Sequence, residues 1–170
     1  IAIVLWSLGL SRAATSTAIQ RLPGEVTLGM TPYGRNLQSW ADQARAAGHE
    51  VLLQIPMEPM DYPTNDPGPH TLLTSLTIHR NLQRVDWLLG RFSGYVGVIN
   101  FMGGRFTSTE SHLRPILEAL RDRGLMFLDA RASSSSVASD VAGRIGLNVA
   151  ANDRVVDAVA SRAAIDARLL

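Results

Sequence analysis

Six short apolar runs, each followed by a stretch with helical apolar spacing, succeed one another along this chain. That alternation constrains the fold most, because strand-then-helix units imply parallel strands joined by right-handed crossovers. Residues 1–5, 26–30, 51–55, 95–101, 125–128 and, more weakly, 147–150 read as the strands. The first is a β-branched and apolar run that suits burial on both faces. Ser11 can cap a helix carrying Ala14, Ala18, Ile19 and Leu22, which Pro23-Gly24 ends. Asn36 can cap a second, with Leu37, Trp40, Ala41 and Ala44 on one face and Gly48 as its stop. A third begins near Ile78, with Leu82, Val85, Leu89 and Phe92 in register. Thr107 and Glu110 have capping-box spacing ahead of Leu113, Ile116, Leu117 and Leu120. Pro115 is awkward inside that stripe and moves the expected helix start toward Arg114. Val137, Val141 and Ile145 mark a fifth helix, and residues 159–170 a sixth.

Two architectures satisfy this pattern, an open doubly wound sheet and a barrel. The first turn, Ser7-Leu8-Gly9-Leu10-Ser11, lacks G-x-G-x-x-G, which weighs against dinucleotide binding. A barrel of eight units needs about 250 residues. Six units in 170 residues therefore point to an incomplete or smaller barrel. The chain starts without Met in a strand-like run and stops at Leu170 inside an uncapped amphipathic pattern. We expect a single domain over residues 1–170, truncated at both ends.

Composition narrows the function classes. With 46% hydrophobic and 18% charged residues, the chain is not a disordered polymer. A net charge of +1, dispersed along the sequence, argues against nucleic acid as a partner. No apolar run approaches membrane-spanning length. The opening IAIVLWSLGL has no basic leader and is too short for a signal peptide, so no export signal is expected in this segment. Without cysteine there is no disulfide, thiolate nucleophile or cysteine metal site. All 16 basic residues are Arg, which excludes a Lys Schiff base and a P-loop lysine.

In either architecture ligands gather where parallel strands end. The polar residues at those positions are Ser7, Thr31, Glu58, Asn100, Arg105, Asp129 and Asn152 with Asp153. Such a set suits a small polar ligand or a divalent cation. Each has a plainer reading. Glu58, in Pro56-Met57-Glu58-Pro59, can hold loop amides, and Asp129 can cap the segment after it. Arg105 can pair with either acid, and Asp153 with Asp157 suits a solvated turn. Residues 57–74 form the one long loop, and its Pro, Gly, Asp and Asn content gives turns. His70, in that loop, is the one histidine placed near the strand ends. His49 precedes its strand and belongs at the opposite end, while His79 and His112 fall on helix surfaces. No H-x-x-H, H-E-x-x-H or G-x-S-x-G occurs, so neither a helical zinc motif nor an esterase elbow is present. The serines at 133–136 read as a loop and helix cap.

Longer blocks are more specific. They are Leu22-Pro23-Gly24-Glu25-Val26-Thr27-Leu28, Pro32-Tyr33-Gly34-Arg35-Asn36 and Gly48-His49-Glu50-Val51-Leu52-Leu53-Gln54-Ile55-Pro56-Met57-Glu58-Pro59. Asp66-Pro67-Gly68-Pro69-His70-Thr71-Leu72-Leu73-Thr74 and Gly94-Tyr95-Val96-Gly97-Val98-Ile99-Asn100-Phe101-Met102-Gly103-Gly104-Arg105-Phe106 follow in order. Together they resemble the divergent polysaccharide deacetylase family across essentially the whole chain. The resemblance implies an irregular (β/α) barrel of about seven parallel strands, here incomplete at its C-terminus. It also implies a bacterial envelope or periplasmic setting, an acetylated carbohydrate or other small substrate, and a divalent metal such as zinc that activates water. In these terms Glu58, Asp129 and Arg105 would be catalytic, with Glu58 and Asp129 as weak metal ligands. Asn100, His70 and Ser7 would contact substrate.

The first strand departs from the family pattern. An aspartate pair is expected before a hydrophobic-Gly-Leu segment, yet Trp6-Ser7 stands there ahead of Leu8-Gly9-Leu10. In the wider superfamily those acids act as catalytic base and metal ligand, roles that Trp and neutral Ser cannot fill. Position 101, a His in one family variant, is Phe. Weak or absent metal binding and little turnover are therefore expected. The alternative is a catalytically inactive homologue serving as an envelope binding or scaffold domain.

Overall fold

Six parallel strands pair in the order in which they occur, β1 (Val4–Leu8), β2 (Thr27–Met30), β3 (Val51–Met57), β4 (Gly97–Met102), β5 (Met126–Asp129) and β6 (Val149–Ala151). This computed structural model describes residues 2–169. Ile1, where the expected first strand begins, and Leu170, where the expected last helix ends, lie outside the described residues. Between the strands run α1 (Arg12–Arg21), α2 (Leu37–Ala46), α3 (Ile78–Leu89), α4 (Glu110–Arg121) and α5 (Ala138–Ile145), and α6 (Arg162–Leu169) follows β6.

Sequential strand order with one crossover hand puts α1 to α5 on the same face. The larger apolar cluster joins Ala18 and Ile19 of α1, Leu37 and Ala41 of α2, Val85 and Leu88 of α3, Leu113 and Ile116 of α4, and Val141 of α5 to outward strand residues such as Leu28, Leu53, Val98 and Phe127. The second cluster lies on the opposite face and holds Leu52, Ile99 and Leu128, with Val4, Trp6 and Ala130 against it. The wall is thus helix-covered outside and concave inside, the arrangement of a barrel left unclosed. Among the described residues β1 and β6 do not pair with each other.

Close inner packing depends on two glycines. A Cβ on Gly29 would lie 2.9 Å from the Trp6 Cβ and 3.2 Å from its Cα, so β1 and β2 approach closely where β2 offers no side chain. A Cβ on Gly97 would run into the side chain and backbone of Met126. Large residues over small ones is how a narrow barrel interior fills.

Several local expectations need correction. β1 is displaced toward its C-terminus, so Trp6 and Ser7 lie within it rather than beyond it. It is not buried on both faces, since Ile3 and Leu5 are 41% and 39% exposed along its outer side. An edge strand has only one neighbour to cover it. Asn36 precedes α2 but adopts φ 57° and makes no side-chain cap. The Thr107–Glu110 spacing is not a capping box. α4 starts at Glu110 after Thr109, and the Thr107 hydroxyl instead donates to Gly103 O at 2.8 Å. Pro115 sits inside α4, which starts before Arg114 and tolerates one missing N–H. β3 continues through Pro56 to Met57. Ser11 does cap α1, accepting from Ala14 N, and the structure adds Thr77 as the cap of α3, accepting from Arg80 N.

The Gly97 contact makes a test of the wall. Gly97→Ala should destabilise the domain by about 1–3 kcal/mol, the usual cost of overpacking. The measurement is the urea unfolding midpoint, and an unchanged midpoint would contradict the close β4–β5 approach.

Candidate functional site

Backbone strain concentrates at one end of the sheet. Among the described residues four other than glycine have positive φ, namely Ser7 (65°), Asn36 (57°), Met102 (55°) and Arg131 (51°). All four stand at, or a few residues past, the C-terminal end of a strand. Such conformations persist only where the surroundings over-determine them, and they favour functional ends. The same end of a parallel wall is where ligands bind.

The polar strand-end residues supply that over-determination. Asn100, buried at the end of β4, donates from Nδ2 to Met102 O at 2.7 Å. Its Oδ1 accepts from Ala130 N at 2.8 Å, fastening β4 to the end of β5. Asp129 does the same one strand on. Its Oδ1 accepts from Arg131 N at 2.8 Å, and its Oδ2 accepts from Ser136 Oγ at 2.6 Å. Asn152 N donates to Asp129 O, carrying the chain of contacts to β6. Ser7 interrupts the pairing of β1 with β2, and its amide donates across the concave face to Gln54 Oε1 at 3.0 Å. Thr31 N closes the neighbouring turn on Leu8 O.

Glu58 organises the long loop. It is 6% exposed, and its Oε2 accepts from both the amide and the hydroxyl of Thr74, at 2.5 and 2.7 Å. Its backbone N donates to Leu72 O, and its backbone O accepts from Arg105 N and Phe106 N. Arg105 Nε stands 3.7 Å from Glu58 Oε1, while its Nη2 donates to Met60 O at 2.7 Å. Of the two acids open to it, Arg105 faces Glu58. Glu58 and Arg105 form one group, and Asn100, Asp129 and Asn152 form a second. No hydrogen bond or ion pair joins Glu58 to Asp129 among the described residues.

His70 lies flat on Trp87, with ring centroids 3.6 Å apart and an interplanar angle of 2°. Its Nδ1 is buried without a partner. Burial first, then the Arg84 and Arg91 guanidinium groups, hold its pKa below the ordinary histidine value. His49 is at the other end of the sheet, its ring nitrogens against Val26 O at 2.8 Å and Ile19 O at 3.2 Å.

Two clefts open at the strand-end face. One, of about 630 Å³, lies past β5 and β6 and includes Asp129, Arg131, Ser136, Asn152, Asp153 and Arg154. The other, of about 680 Å³, lies past β1 and β2 and includes Arg12, Tyr33, Arg35, Asn36 and Trp40. Sequence reasoning passed over the second cleft, and over Gln54. The available signal was a pair of arginines just after the first two strands.

The donor set does not fit a divalent metal. Among the described residues no three of His, Cys, Asp and Glu gather where an ion would need them. One Glu58 oxygen is spent on Thr74 and both Asp129 oxygens on the turn after β5. Trp6 packs into the concave apolar cluster beside Leu52, Ile99 and Leu128. What this end of the wall offers is hydrogen bonding in both clefts, with mixed charge past β5 and β6 and positive charge past β1 and β2.

Glu58→Ala should leave the Thr74 amide without its acceptor and destabilise the domain by about 1–3 kcal/mol. Hydrogen exchange should show the 58–77 loop opening first; unchanged protection at Thr74 would contradict the assignment. His70 has a pH consequence. Because its folded pKa is depressed, the unfolded chain takes up the proton more readily. Stability is then full above the ordinary value of 6.5 and is lost as pH falls through it toward the folded pKa. In His70→Phe that part of the pH dependence of Tm should vanish; persistence of the full slope would place its origin elsewhere.

The sequence pattern of the family described as divergent polysaccharide deacetylase matches residues 3–170. A crystal structure of an uncharacterized protein of Agrobacterium tumefaciens C58, ATU2773, superposes with a TM-score of 0.96 at 40% identity, covering 99% of this chain and 68% of that one. An uncharacterized protein of Haemophilus influenzae is 25% identical over 131 residues, 76% of this chain and 46% of its own length. Uncharacterized protein YibQ of Escherichia coli is 25% identical over 150 residues, 88% of this chain and again 46% of its own length. The chain spans about half the length of these two curated relatives. The match over nearly every residue, carried on an unclosed parallel wall with helices outside, makes this chain a member of the divergent polysaccharide deacetylase family.

Proposed function

We propose that this domain recognises an acetylated carbohydrate at the strand-end face and hydrolyses it weakly or not at all. The observation that carries this reading is Trp6. Where the family pattern expects the first of two acids, a tryptophan packs against the apolar cluster of Leu52, Ile99 and Leu128. An apolar cluster is a poor host for a hard cation, which is held by several oxygen ligands with carboxylates foremost. Ser7, at the second acid position, is bound to Gln54 and brings no charge.

The saccharide part of the reading rests on family membership and on polar clefts of ligand size. The weak-turnover part rests on the residues at positions 6 and 7. A bacterial envelope or periplasmic setting is proposed on family grounds alone. No described helix is long and apolar enough to cross a membrane.

The test compares the natural chain with the double substitution Trp6→Asp, Ser7→Asp. Zinc binding is followed by calorimetry, and acetate release from a chitin oligosaccharide by a coupled assay. The natural chain should bind zinc weakly and release little acetate, and the double variant should gain at least tenfold in zinc affinity. Tight zinc binding with full turnover by the natural chain would overturn the reading. An unchanged zinc affinity in a folded double variant would show that positions 6 and 7 are not what limits the site.

A further inference from the structure

The cleft past β1 and β2 differs from its neighbour in charge. Arg12 and Arg35 line it together with Tyr33, Asn36, Trp40 and Gln43, and no carboxylate lines it. The cleft past β5 and β6, by contrast, mixes Asp129, Asp140 and Asp153 with Arg131 and Arg154. Most arginines of this chain are spoken for. Arg45, Arg105, Arg114, Arg121, Arg123, Arg144 and Arg162 face acids, and Arg84 and Arg91 donate to the carbonyls of Thr71 and Pro32. Among the described residues neither Arg12 nor Arg35 has a hydrogen-bond or ion-pair partner. Two free guanidinium groups on one cleft, with their bidentate donors unspent, are the arrangement that recognises an oxyanion.

The local backbone agrees in sign. α1 and α2 both begin at this cleft, Arg12 being the first residue of one and Leu37 of the other. Neither has an acid in its first turn, and Asn36 does not cap α2 with its side chain. The first-turn amides of α2 therefore add positive potential with no side-chain acceptor to answer it. Asp66 faces Tyr33 from the long loop, but its Oδ1 is taken by Gly68 N at 2.9 Å. Tyr33 is itself braced, its hydroxyl accepting from His70 N at 3.4 Å and its ring lying where a Gly68 side chain would fall. Its hydroxyl proton remains available to a ligand. Trp40 supplies an aromatic surface in the same wall, packed from behind by the core.

We propose that this cleft binds the oxyanion group of an acidic saccharide, with Arg12 and Arg35 on the anion and Trp40 and Tyr33 on the sugar. The sugar half rests on the carbohydrate reading above, whereas the oxyanion half rests on the two arginines. A carboxylate and a phosphate present the same chemistry to a guanidinium pair, so the experiment carries both.

Binding to the whole chain is measured by calorimetry at low salt with glucuronate, glucose 6-phosphate, neutral glucose and inorganic phosphate. Glucuronate or glucose 6-phosphate should bind at least about tenfold tighter than glucose, and tighter than inorganic phosphate. Arg12→Gln and Arg35→Gln should each weaken the acidic sugar about tenfold, the size of one lost charge-assisted hydrogen bond. Arg80→Gln, on the exposed start of α3, should leave it unchanged. Because neither cleft arginine holds the fold, both variants should keep the natural Tm. Absence of binding by every anion, or anion binding that survives both cleft substitutions, would overturn the proposal. Inorganic phosphate binding as tightly as glucose 6-phosphate would overturn the saccharide assignment. None of these readings needs turnover, so an absence of deacetylation leaves them intact.

Discussion

The placement of the five crossover helices on one face of a sheet paired in chain order is the constraint on which the rest of the molecule depends. It divides every strand into an outward set that meets helices and an inward set that meets other strands. Outward positions such as Leu28, Leu53, Val98 and Phe127 join a continuous core with the helices. Inward positions have only one another, and six strands do not close around them. The inner face must be filled by reach across strands. Trp6 against the Leu52 cluster, Gln54 to the Ser7 amide and Met126 over Gly97 are three instances of that reach. Residue 6 is therefore subject to two demands at once, the packing of the concave face and whatever chemistry the strand end performs. In this chain the packing demand is met by the bulkiest side chain available.

The same constraint explains which parts of the fold were legible in the sequence. Strand-then-helix alternation repeats, and each helix carries an apolar stripe such as Leu113, Ile116, Leu117 and Leu120, so element type and order could be read. Sequential pairing could not be read from periodicity, because an open doubly wound sheet has the same alternation; family resemblance supplied the barrel. Ends were read less well, for identifiable reasons. The first strand was placed too early because its apolar residues run ahead of its pairing, and Ile3 and Leu5 are apolar without being covered. The capping-box spacing at Thr107 and Glu110 was matched by chance, since Thr107 is committed to Gly103.

Candidate residues were legible as strand-end positions and less so as partners. The strand-end rule points to Glu58, Asn100, Arg105 and Asp129, and in the plainer reading Glu58 holds loop amides and Asp129 caps. Contacts with Thr74 and with Arg131 and Ser136 follow those plainer readings. The Arg12 and Arg35 pair went unread because one arginine opens a helix and the other ends a turn. Only the fold brings the β1–α1 and β2–α2 connections side by side. Gly34 closes that junction, for a Cβ there would fall on the backbone carbonyl of Gly9.

The blocks that carry the family resemblance consequently have an architectural use independent of catalysis. In Pro56-Met57-Glu58-Pro59, Met57 is fully buried and Glu58 ties two connections together, through Thr74 in the loop after β3 and Phe106 N after β4. In Asn100-Phe101-Met102-Gly103, the Asn100 amide holds the left-handed Met102 turn while Gly103, at φ 95°, leaves room beside Met57. Removing one member of such a buried network strands its partners, which costs more than the bond itself contributes. A lineage in which the acid pair at positions 6 and 7 is replaced can therefore keep these blocks for stability alone. Their presence argues for the fold, and the chemistry has to be judged at Trp6 and Ser7, where no loop depends on a carboxylate.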